Sequence, residues 1–206
     1  MVAGRAPASA SSPTVTTIKG FSLARQDDDR LLFQIDAEEL TIQPKHFFVF
    51  NIKSIDEMVI TNAVAKLYLR QGESKDIDLL AFVDINIILD PSKGQTFRDI
   101  ALISGVRIRP FTLHIYKDNT LAFIVQAEEA LITFLGQKAM RMKRCSLEDV
   151  LTHKSIMSEL IIWDSQQKTF NVPGNYLAVT PRGKATGQRI KVDINFVVTA
   201  FRAEAG

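Results

Sequence analysis

The chain has 206 residues, 46% hydrophobic and 23% charged, with a formal net charge of +2. This composition belongs to a folded globular protein of one domain, and it excludes both a disordered chain and a strongly polybasic one. A single cysteine, Cys145, leaves no intrachain disulfide. No stretch approaches the ~20 apolar residues of a membrane-spanning helix.

Residues 1–17 are rich in Ala, Ser, Pro and Thr, a composition that buries too little surface to fold alone. They predict a flexible N-terminal arm over 1–19, followed by a single β-rich globular domain over 20–206. The arm has no apolar segment of the kind that opens a secretory signal. A cytoplasmic or virion location is therefore expected, without export by a standard signal peptide.

Five short segments share one pattern: a large apolar residue, a polar residue, Ile, a polar residue. They are Phe33-Gln34-Ile35-Asp36, Phe50-Asn51-Ile52-Lys53, Val83-Asp84-Ile85-Asn86, Val106-Arg107-Ile108-Arg109 and Val192-Asp193-Ile194-Asn195. Alternation with period two marks half-buried strands. In chain order, strands are expected at 31–35 and 47–52. Ser54 with Asp56 and Glu57 resembles a helix start, and Ile55, Met58, Val59, Ala63 and Leu67 at helical spacing predict a helix ending near Gly72. A strand over 65–70 is the alternative. The longest strand is expected over 76–89, then a turn at 90–94 and a short helix over 96–104.

Residues 106–116 and 121–125 predict a hairpin through Lys117-Asp118-Asn119-Thr120, with Pro110 marking an edge or a bulge. Early Glu128 and Glu129 and late Lys138, Arg141, Lys143 and Arg144 match a helix dipole over 127–143. Ser146 and Asp149 then predict a second helix reaching Trp163. Short strands are expected at 169–172 and 176–180 around Pro173-Gly174-Asn175. A loop over 181–187 and a final strand over 189–201 complete the chain. The fold class is mainly β with helical insertions (α+β): an antiparallel β-sandwich or jelly roll, with an open sheet packed by helices as second choice.

No catalytic constellation stands out. His46, His114 and His153 share no ligand spacing with Cys145. Cys145 lies beside Lys143 and Arg144, cations that would lower a thiol pKa. Gly183-Lys184-Ala185-Thr186-Gly187 lacks the first glycine and the Ser/Thr of a phosphate loop. Asp76, Asp78, Asp84 and Asn86, with Asp193 and Asn195, would line strand faces and hold a divalent ion if they converged.

Two basic clusters are the clearer signal. Arg141, Lys143 and Arg144 form one; Arg182, Lys184, Arg189 and Lys191 form the other. Arg107 and Arg109 share a strand face. Brought together, they would make a surface for nucleic acid or another anionic partner. No catalytic residue, metal site or cofactor is assigned. The expected function is a non-enzymatic structural protein that self-associates through protein–protein contacts, as viral or phage coat, matrix and tail proteins do. An anion-binding module and a divalent-ion enzyme are the alternatives. A homo-oligomer is the expected state, with nucleic acid as a further partner and no membrane span.

Overall fold

The computed structural model describes residues 15–27, 30–47, 50–70, 79–80, 102–134 and 139–201, and every regular element among them is a strand. The strands are β1 (Thr16–Asp27), β2 (Arg30–Phe47), β3 (Phe50–Leu69), β4 (Leu102–Lys117), β5 (Thr120–Thr133), β6 (Ala139–Asp149), β7 (Lys154–Asp164), β8 (Thr169–Thr180), β9 (Gly183–Asp193) and β10 (Val198–Phe201). They form one sheet in chain order, from β1 at one edge to β10 at the other. All neighbours pair antiparallel except β3 and β4, which are parallel. A parallel pair requires a crossover of a dozen or more residues, and residues 70–101 link β3 to β4.

Two features turn a flat meander into a fold with a core. The first is a crease across the middle of the sheet. In β2 the inward residues are Phe33, Ile35 and Ala37, then Leu40 and Ile42; in β4 they are Val106 and Ile108, then Phe111, Leu113 and Ile115. The inward set advances by two, then once by three. The same step falls between Ile60 and Ala63 in β3, Ala127 and Ala130 in β5, and Met142 and Cys145 in β6. The cross-strand registers align these steps. At the crease, Gly20, Asn62, Arg144 and Arg189 have φ of 65°, 52°, 45° and 55°. An extra residue with positive φ bends a strand and restores its inward phase on the far side.

The second feature is coiling. Phe123 of β5 stacks on Phe170 of β8 with ring centroids 5.8 Å apart, and meets Phe196 at 5.7 Å. Three strand spacings in a flat sheet would separate β5 from β8 by ~14 Å. The twisted sheet therefore wraps its inner face around one apolar core. Trp163, Phe111, Phe123, Phe170 and the fully covered pair Leu79 and Leu80 belong to it.

This architecture corrects the expected fold class. The described strands form one mixed sheet in chain order, so neither two facing sheets nor the non-consecutive strand order of a jelly roll occurs among the described residues. The helical insertions are strands as well. Residues 55–67 lie in β3, 127–133 and 139–143 in β5 and β6, and 146–163 in the hairpin of β6 and β7. A step of three among inward residues interrupts the period of two, and at that spacing it reads as a helix.

The smaller differences have the same local character. Phe47 pairs with Phe50 across a tight connection, so 47–52 is a hairpin corner. Pro110 sits at the crease of β4, which pairs with β3 and β5, so of the two expected alternatives the edge is excluded. Pro173-Gly174-Asn175 is a bulge inside β8, and 183–187 is already strand β9. The chain turns again at 194–197, where Asp193 Oδ1 accepts the backbone N–H groups of Asn195 and Val197. The hairpin of β4 and β5 through 117–120 is as expected. β1 begins at Thr16, inside the expected arm. The strand expected at 76–89, the turn at 90–94 and most of the helix at 96–104 lie outside the described residues, as do Asp76, Asp78, Asp84, Asn86 and Lys138.

Candidate functional site

The fold sorts the basic residues into two groups. The first is held in ion pairs on the outer face of β3 to β6, beside the crease. Arg107 of β4 reaches Glu57 of β3 (Nη2–Oε1 2.8 Å) and Glu129 of β5 (Nη1–Oε2 3.2 Å). Arg109 also binds Glu129 Oε2. Lys143 of β6 lies 2.8 Å from the other oxygen, Oε1. Arg144 grips Glu128 with Nε and Nη2, both at 2.7 Å.

Alternation in β4 puts Arg107 on the outer face, and the antiparallel register sets Glu129 opposite Lys143. Burial raises the Glu129 pKa, but hydrogen bonds from Lys143, Arg107 and Arg109 outweigh it and hold the carboxyl down at about 2. Burial also weakens the charge of Arg107, and Glu57 and Glu129 more than restore it. These groups neutralise one another and are not poised for proton transfer. Glu57 and Glu129 were not among the expected site residues. The signal for Glu129 was the Glu128-Glu129 pair, which a helical reading assigns to the dipole, and Glu57 was read as an acid at a helix start.

The second group is concentrated on the hairpin of β8 and β9. From residue 165 to 192 the sequence has five cations, Lys168, Arg182, Lys184, Arg189 and Lys191, and no acid. Arg182 is exposed at the tip, where its N–H donates to Thr180 Oγ1 at 3.2 Å. Lys184 is exposed opposite Val179, and Arg189 is exposed at the crease. Lys191 donates to Gln167 Oε1 at 2.9 Å. Tyr176 covers Gly187 across the pair, where a Cβ would fall 2.4 Å from the tyrosine Oη. An aromatic ring over a strand glycine replaces the missing side-chain contact.

The two expected clusters do not converge. Arg141 lies exposed on β6, in the cross-strand row of Leu131, Ile162, Asn171 and Lys191, with two strands between it and Lys191.

The remaining reactive candidates are structural. Burial pushes the Cys145 thiol up to about 12 despite the neighbouring cations, and Sγ donates to the Met142 and Ser158 carbonyls. His114 is half-buried with its edge toward Tyr116; burial and then Lys66 lower its pKa. No group of three or more metal-ligating side chains occurs among the described residues. A trough of about 770 Å³ follows the crease on the outer face, lined by Thr112, Gln126, Ser146, Met157 and Tyr176 among others. Among the described residues no helix is long and apolar enough to cross a membrane. The chain matches no protein-family model and no curated protein.

Proposed function

We propose that the chain is a non-enzymatic structural subunit that self-associates, of the kind that builds a coat, matrix or tail. The observation that carries this reading is the continuous ten-strand sheet, whose first strand, β1, pairs only with β2 among the described residues. A twelve-residue strand with no second partner strand among the described residues is a template for another strand, and proteins that do not use such an edge normally cover or charge it. Beside the crease, Arg107, Arg109 and Lys143 join Glu57 and Glu129 in one ion-pair network that ties β3 to β6. Light scattering on a sizing column tests the proposal. A defined species at a multiple of 23.0 kDa is expected, and a monomer across the accessible concentrations overturns it.

A second reading is favoured by the acid-free hairpin of β8 and β9. This surface suits an anionic partner, nucleic acid included. It predicts salt-dependent binding of a DNA or RNA oligonucleotide. Each phosphate contact contributes ~0.9 to the log–log salt slope, so Arg182→Ala with Lys184→Ala lowers it by about 2. Absent or salt-insensitive binding removes this reading.

A further inference from the structure

We propose that two copies of this chain join through their β1 edges about a two-fold axis between Lys19 and Gly20, continuing the sheet from one copy into the other. The proposal rests on the self-association reading and specifies its interface.

The first argument is the symmetry of β1. Its inward positions are Thr16 and Ile18 before the crease and Phe21 and Leu23 after it, as their partners Ile42, Leu40, Ala37 and Ile35 show. The step of three at Gly20 makes this pattern palindromic about the bond between residues 19 and 20. An added strand must carry the same phase break at the same height, or its apolar side faces the wrong way beyond the crease. A second β1, turned by two-fold rotation, meets that condition. Ile18 then faces Phe21 of the other copy, Thr16 faces Leu23, and Thr17 faces Ser22. The equal exchange of contacts is what a two-fold interface requires.

Charge and exposure agree. β2 carries Asp36, Glu38 and Glu39 directly behind the β1 edge. Asp36 Oδ1 accepts the Ser22 hydroxyl at 2.7 Å. In the pairing, the two Lys19 residues flank the axis, and their like charge is offset by the acidic row of β2, where each Lys19 already pairs with Glu39 of its own chain. Val15, 55% exposed just ahead of β1, falls opposite Ala24. The far edge of the sheet is built differently. There the described part of β10 has four residues. So short a strand offers its own copy little backbone to pair with.

The test is disulfide trapping between separately made variants. Thr17→Cys mixed with Ser22→Cys is expected to give a covalent dimer on mild oxidation, and neither variant alone is expected to do so. A second measurement uses Ile18→Lys, which sets a charge at the inward contact and is expected to raise the dimer dissociation constant at least tenfold with an unchanged circular dichroism spectrum. If the unmodified chain is an oligomer by light scattering but the mixed cysteines do not cross-link, this interface is wrong and self-association stands. If the unmodified chain is a monomer, both are overturned.

Discussion

Replacing Glu129 by Gln keeps the side chain's size and removes the charge on which Arg107, Arg109 and Lys143 converge. Lowering this carboxyl from the ordinary 4.5 to about 2 corresponds to about 3 kcal/mol, at ~1.4 kcal/mol per tenfold in acidity. Arg109 and Lys143 are 52% and 64% exposed, so water screens part of it and ~1–2 kcal/mol is the expected loss at pH 7. The sign follows from the lowered value. A carboxyl more acidic in the folded state stabilises the fold fully above pH ~4.5, and that contribution disappears as the pH falls toward 2. Denaturant titration of both proteins at pH 7, 4.5, 3 and 2 is the assay. The gap between them is expected to hold from pH 7 to about 5 and to close by pH 2. A gap of the same size at pH 2, or none at pH 7, refutes the assignment of Glu129 as the hub.

Phe123→Ala removes the ring that joins β5 to β8 and to Phe196, and is expected to cost ~3–5 kcal/mol; a loss below 1 kcal/mol in denaturant unfolding argues against the coiled core. Gly105→Ala places a Cβ 2.4 Å from the Ile132 carbonyl oxygen and is expected to cost ~1–3 kcal/mol. Gly187→Ala meets only the Tyr176 ring, which can swing aside, so its thermal midpoint should fall less than that of Gly105→Ala. With its thiol near 12, Cys145 should react with iodoacetamide at pH 8 at least a hundredfold more slowly in the folded chain than in denaturant; equal rates would show an accessible thiolate.

Strand chemistry was legible from alternation in β2 and β4, while the alternation over 190–198 hid the turn at 194–197. The hairpin of β4 and β5 was expected at 106–125 because Val106 and Ile108 alternate with Arg107 and Arg109 ahead of an Asp-Asn turn. The crease was not legible, for a physical reason. A bulge spaces apolar residues by three, and Met58 to Ala63 or Met142 to Leu147 then reads as a helical face. The Glu128-Glu129 pair and the late cations of 138–144 fit a helix dipole equally well in sequence. In the fold, Lys143 and Arg144 are the cross-strand partners of Glu129 and Glu128. For the basic residues, the sequence showed that Arg182, Lys184, Arg189 and Lys191 cluster, and the register keeps them on one hairpin. It did not show that Lys143 and Arg144 are already neutralised, because that depends on the pairing of β5 with β6.

The most direct test of the central claim is native mass spectrometry of the unmodified chain beside Ile18→Lys. A two-fold β1 interface predicts a species of twice 23.0 kDa, or an even multiple of it, for the unmodified chain, and loss of that pairing in the variant. A monomer in both samples, or an oligomer that Ile18→Lys leaves unchanged, would contradict it.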